Sequence, residues 1–168
     1  MLSENIRKGL EEYISSNYIE IVTNVPDYTM HHETTKGSGV TFSKTESFSL
    51  EDLVNEVGET FHEMLFLKID MSGMTDVEVY KRANIDRKLF SKIRSNPAYH
   101  PRKQTVLALA IALKLSLDDT IDLLSRAEYA LSPGNKGDLI VKYFIEHEVY
   151  DIMAINYALD EYNQPILG

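Results

Sequence analysis

The sequence predicts a mainly α-helical protein, and three observations carry that expectation. From Ser49 onward, apolar residues recur at three- and four-residue spacings: Leu50, Leu53, Val54, Val57, Phe61, Met64 and Leu65. Helix start and stop residues punctuate that pattern at regular intervals. The stretch from Val106 to Leu115 is almost wholly apolar, as expected of a helix buried on several sides.

Each element has its own local reason. Asn5–Ser15 places Ile6, Leu10, Tyr13 and Ile14 near one side of a short helix. Tyr18–Val25 and Val40–Lys44 are β-rich, with a polar loop between them. They suit either a small hairpin or a mobile arm, and the Ser/Thr-rich run from Thr34 to Ser49 suits a linker. Ser49 with Asp52 caps the next helix, and Gly73 ends it in the left-handed conformation that glycine adopts at little cost. Thr75 and Glu78 have the spacing of a capping box and open a helix that runs to about Ala83. Asn84 suits a left-handed turn, and Asp86 caps Arg87–Ser95. Pro97 and Pro101 bracket a loop, after which helices are expected at 104–115 and from Ser116 to Ala130. Ser132–Gly137 breaks the pattern, and two last helices follow at 138–148 and 151–162. Three segments result: an arm (1–48), a helical domain (49–131) and a helical extension packed on it (132–168). No internal repeat is visible in the residue pattern.

Charge is distributed unevenly along these elements. Between Lys81 and Lys103 there are eight basic residues and one acid, a formal +7. The whole chain is −9, so everything outside this window sums to −16. A basic face on an acidic body attracts a polyanion at one place and repels it elsewhere, and nucleic acid is the polyanion expected.

The phrases TDVEVYKRANIDRKLFSKI and PRKQTVLALAIALKLSLDDTIDLL carry a family resemblance. A short helix, a tight turn, a basic helix, a proline-containing loop and a very apolar helix follow in that order. Over about Glu59–Ala130 this resembles the phage-repressor-like (lambda-repressor-type) helix-turn-helix family. The resemblance implies a five-helix bundle, here with two added C-terminal helices and a small N-terminal helix or hairpin arm. Ile85, Phe90 and Ile93 fall where that motif buries the side chains that set its interhelical angle. Arg87, Lys88, Ser91 and Lys92 fall on the face that meets base edges in the major groove, where Arg and Lys favour guanine. Arg94, Arg102, Lys103 and Gln104 would lie against phosphates, contacts that position a protein without reading sequence. Two residues depart from the pattern. Tyr80 stands where the family usually has alanine, and Asp76 opens the first motif helix where an uncharged phosphate contact is common. Glu59–Gly168 also resembles a bacterial helical module sometimes attached to macro domains, on YKRANIDRKLFSKIRSN and the ending NQPILG. That likeness implies a stress or phage-defence context and no catalytic activity.

Other chemistries find little footing. Zero cysteines exclude disulfides, thiolate catalysis and cysteine-based zinc fingers. His31, His32 and Glu33 lie adjacent with no further ligand at useful spacing. His62-Glu63 begins like a zinc-protease motif, but Phe66 stands where the second histidine is required. The acidic pairs lack any partner that would define a general acid or base, and GSG at 37–39 lacks the Lys-Ser/Thr of a phosphate loop. No metal site, cofactor or enzymatic activity is therefore expected. No apolar run nears the roughly 18 residues that span a bilayer, so the expectation is a cytoplasmic protein with no membrane partner. The leading functional expectation is a DNA-binding transcriptional regulator of bacterial or phage type, with double-stranded DNA as partner. The alternative is a protein-interaction adaptor or antitoxin-like protein that does not bind DNA and whose acidic body holds a basic partner. Leu139, Ile140, Tyr143, Phe144, Ile152, Ile155 and Leu159 form apolar stripes that suit either internal packing or a homodimer surface.

Overall fold

The structure is a computed structural model that describes residues 2–20 and 59–168. Eight helices lie within them: α1 (Glu4–Asn17), α2 (Phe61–Ser72), α3 (Asp76–Arg82), α4 (Arg87–Ser95), α5 (Lys103–Ala112), α6 (Leu117–Arg126), α7 (Lys136–Glu146) and α8 (Ile152–Glu161). No strand occurs among the described residues, so the mainly α expectation holds there. The expected strand at 40–44, most of the one at 18–25, the His31–Glu33 cluster and the Ser49 helix start lie outside them. The part of 18–25 that is described is not a strand. Tyr18 caps α1, and the Ile19 N–H donates to the Pro133 carbonyl at 3.1 Å.

The hydrophobic core is organised around α5. Every residue from Thr105 to Ala112 is buried, and α3, α6 and α8 all pack against this helix. A helix with no wettable face is stable only when other elements enclose it, because each exposed Leu or Ile would forgo roughly 1.5–3 kcal/mol of burial. The outer elements supply the complementary stripes: Leu65 and Ile69 from α2, Val79 from α3, Phe90 and Ile93 from α4, Leu123 and Leu124 from α6. The C-terminal apolar stripe resolves in favour of internal packing. Leu139, Ile140, Tyr143, Phe144, Ile152, Ile155 and Leu159 are all buried within the chain. A homodimer built on those seven residues would have to open this core first.

Helix α1 is part of the same body and packs on α7. Leu10 and Ile14 enter the core, and Arg7 pairs with Glu161 at 2.9 Å. The Tyr13 hydroxyl donates to Glu146 Oε2 at 2.6 Å, and its ring meets Tyr143 edge-on at 5.3 Å between centroids. Gly9 makes the close approach possible, since a Cβ there would sit 2.4 Å from the Tyr143 hydroxyl oxygen. The N-terminal helix thus belongs with the bundle, whereas the sequence pattern groups it with a separate arm.

Side chains cap almost every helix start. Thr60 and Glu63 form a capping box at α2, and Thr75 and Glu78 form the expected one at α3. Asp86, Ser116, Asn135 and Asp151 cap α4, α6, α7 and α8. Hydrogen bonds from Thr60 and Thr75 hold the Glu63 and Glu78 carboxyls below the usual carboxylate range. Five of the eight described helices end in one pattern that the sequence only half reveals. At Asn84, Lys114, Glu128, Glu148 and Asn163 the backbone turns left-handed, with φ between 53° and 60°. In each case the next N–H reaches back five residues, as from Ile85 to Tyr80 and from Leu115 to Ala110. This is the Schellman stop, here formed without glycine. It ends α5 at Ala112 and α6 at Arg126, several residues before the apolar pattern would. The α3–α4 and α5–α6 connections are consequently the same four-residue turn, with Ala83-Asn84-Ile85-Asp86 matching Leu113-Lys114-Leu115-Ser116.

The final residues fasten the bundle. Asn156 clasps the Leu167 backbone through two hydrogen bonds of 3.0 and 2.7 Å, and the Gly137 N–H donates to Gln164 Oε1 at 3.2 Å. Gly168, at φ 112°, lies so close to the α3–α4 turn that a Cβ would meet the Asn84 carbonyl oxygen at 2.6 Å.

Two stability outcomes follow from these contacts. Gly9→Ala should cost about 1–3 kcal/mol through overpacking, and adding Tyr143→Phe should restore most of it by removing the clashing oxygen. Urea unfolding of the two variants measures this; no rescue would refute the contact. Lys114→Gly should raise stability by about 0.5–1 kcal/mol, since glycine takes the left-handed conformation without a Cβ penalty. The midpoint of the same transition reads it.

Candidate nucleic-acid interface

Helix α4 presents two faces of opposite character. Phe90 and Ile93, with Ile85 just before the helix, are buried, as the resemblance implies. Arg87, Lys88, Ser91 and Lys92 lie on the other side and are all exposed. Spacings of one, four and five residues keep these four side chains on one helical surface. Arg87, Lys88 and Lys92 form no ion pair with any described residue. Lys92 lies over the Tyr99 ring, its Nζ 4.2 Å from the centroid. That contact orients the ammonium without consuming its charge. Arg102, at the start of α5, is also exposed and lacks an ion-pair partner among the described residues. The acid nearest in sequence is Asp86, whose carboxylate accepts the Lys88 N–H at 3.0 Å as the α4 cap.

Two residues expected against phosphates are engaged inside the chain. Arg94 binds Asp76 through two bonds, Nε to Oδ2 at 2.6 Å and Nη2 to Oδ1 at 2.5 Å. Its guanidinium also stacks on Phe66 at 4.4 Å. Donating these bonds to the Asp76 carboxylate pushes the Arg94 pKa further up. Arg94 is therefore a strut between α3, α4 and α2. Asp76 has the matching explanation: the carboxylate at the start of α3 is neutralised by Arg94. Lys103 reaches Asp138 at 2.6 Å, and Asp138 is only 5 % exposed. This pair joins α5 to α7, and Asp138 also accepts the Ser132 N–H at 2.8 Å. Desolvating either partner alone would be costly, so Lys103 stays with its carboxylate. Gln104 is half-buried and lines a cleft with Lys103 and Leu107. Lys81 and Arg82 lie in a different cleft, with Lys114, Tyr150 and Asp151.

Other residues support α4 in ways the sequence pattern does not signal. His62 Nε2–H donates to the Arg94 carbonyl at 3.0 Å, satisfying the C-terminal end of α4. The histidine that opens a failed zinc motif thus holds the basic helix. Tyr80 tilts against Phe90 with 6.0 Å between ring centroids, and fills the angle between α3 and α4. Tyr99 supports Lys92 in the same way, and the sequence marks it only as an aromatic residue seven positions further on. His100 sits 3.4 Å from the Tyr129 hydroxyl and 3.8 Å from Glu128.

The repeated turn provides an internal comparison. The α5–α6 connection has the same backbone as α3–α4, yet α6 begins with Asp118 and Asp119 and carries Asp122. The same four-residue turn thus occurs twice among the described residues, and only the helix after its first copy is cationic. No known protein family, curated protein or solved structure matches the chain.

The Arg94–Asp76 link is measurable by a double-mutant cycle. Both side chains are more than one-third exposed, so a coupling of about 0.5–1 kcal/mol is expected. Arg94→Ala alone should cost more than the coupling, because the stack on Phe66 is lost too.

Proposed function

We propose that this chain binds double-stranded DNA and acts as a transcriptional regulator, with α4 as the helix that enters the major groove. The observation that carries this reading is the outer face of α4: three exposed cations without ion-pair partners among the described residues, in a chain that is otherwise strongly acidic. Arg87, Lys88, Ser91 and Lys92 reach base edges, and Arg and Lys select guanine through its O6 and N7. Arg102 takes a phosphate. Arg94 and Lys103 contribute by holding α4 and the start of α5 in place, Gln104 stays a phosphate contact beside Arg102, and the acidic remainder keeps the duplex from settling elsewhere.

A second reading has its own support. The same turn joins α5 to an acidic helix, so this backbone geometry does not by itself imply DNA. A −16 remainder also suits a basic protein partner, as in an adaptor or antitoxin-like role. Capture of a stoichiometric basic protein that survives nuclease treatment, with no DNA retained, would favour it.

The primary test is selection of genomic fragments at physiological salt, followed by titration against salt. Binding should weaken steeply as salt rises, with a log–log slope of about −0.9 per phosphate contact. Arg87→Ala with Lys92→Ala should abolish specific binding while leaving the unfolding transition unchanged. Arg102→Ala should weaken binding to all sequences about equally and lower the slope by about 1. Absence of any salt-sensitive binding by the wild-type protein would reject the proposal.

A further inference from the structure

A pocket of about 310 Å³ opens between α6 and α7, and none of the residues assigned to DNA contact lines it. Its walls are mainly apolar: Ile121, Ala130, Leu131, Pro133 and Leu139. The size is at the lower end of small-molecule sites. Two charged side chains line it, and they differ in how far their charge is already answered. Asp138 is fully engaged, by Lys103 at 2.6 Å and by the Ser132 N–H at 2.8 Å. Lys142 is half-exposed, and its nearest carboxylate, Glu146, is 3.7 Å away and takes the Tyr13 hydroxyl at 2.6 Å. The site therefore offers apolar walls with one weakly answered ammonium.

We infer that this pocket binds a small amphipathic carboxylate, with its hydrocarbon or ring between α6 and α7 and its anionic head on Lys142. A cationic amphiphile would meet Lys142 as a like charge and find Asp138 already neutralised. A neutral one would gain the apolar burial alone.

The pocket also has a mechanical route to the interface. Tyr129 lines it and donates its hydroxyl to the Pro101 carbonyl at 3.2 Å. Asp138 lines it and holds Lys103. These two contacts tether both sides of Arg102. A ligand packed against Tyr129 favours the arrangement in which that tether is made, and so orders the His100–Lys103 loop. Occupancy of the pocket itself is independent of the DNA reading. Only the consequence, tighter seating of Arg102 on a phosphate, rests on it.

Nuclear magnetic resonance titration of the full, DNA-free chain with octanoate, octylammonium and octanol tests both steps. Octanoate should shift the methyl resonances of Ile121, Leu131 and Leu139 in a saturable manner, and bind about tenfold more tightly than octanol. Octylammonium should bind least. Lys142→Met should bring octanoate down to the level of octanol, with the fold retained because the side chain is partly exposed. Equal binding of all three probes, shifts confined to other regions, or no effect of Lys142→Met would overturn the site. Backbone amides at Arg102 and Lys103 should move with the methyls, and Tyr129→Phe should quench that movement while octanoate still binds. Amides that stay still in the wild-type protein, or respond unchanged in Tyr129→Phe, would overturn the transmission. Neither readout involves nucleic acid, so a failed DNA experiment and a failed pocket are separable.

Discussion

The burial of α5 is the constraint on which the rest of this structure depends. From Thr105 to Ala112 it has no face that water can wet. Its surroundings are therefore fixed: α3, α6 and α8 each cover part of it. Thr105 is the one buried polar side chain in it, and Arg102 provides no side-chain cap at its start. The helix is stabilised by what packs on it, as is general for short helices in water. Because α3 rests on α5 and α4 follows from the α3 turn, the outward direction of Arg87, Lys88 and Lys92 is an indirect product of that burial.

Ion pairs divide the basic window into two kinds of residue. Arg94 and Lys103 find carboxylates on other helices, and their charge is used to join α3 to α4 and α5 to α7. Arg87, Lys88, Lys92 and Arg102 find none among the described residues, so their charge faces solvent. A formal +7 along the chain therefore overstates the field available to a ligand. Among the described residues six of the eight cations are unpaired: four lie on α4 and the loop after it, and Lys81 and Arg82 lie apart from these at the end of α3. The two tethers from Tyr129 and Asp138 end on either side of Arg102, so this loop is also where an event between α6 and α7 would register.

Much of the local structure was legible from residue types. The capping box at Thr75 and Glu78, the left-handed Asn84, the Asp86 cap and the burial of Ile85, Phe90 and Ile93 all follow from short-range chemistry. Helix ends were less legible. Lys114, Glu128 and Glu148 adopt positive φ although their side chains do not favour it. The gain comes from burying the residue that follows, such as Leu115 at 7 % exposure, against the core. That gain is tertiary and leaves no mark in local propensity.

The sequence by itself determined which of the described segments are helical, where most of those helices start, and that one short window concentrates positive charge. Those properties depend on hydrogen bonds and periodicities that span a few residues. Only the tertiary structure decided which cations are neutralised, that the C-terminal apolar stripe faces inward, and that α1 joins the bundle through Gly9 and Tyr143. Each of these depends on partners well separated along the chain, 18 residues for Arg94 with Asp76, 35 for Lys103 with Asp138 and 133 for Tyr13 with Glu146. Spacing along the chain carries no information about such pairs, because they exist only once the core around α5 has closed.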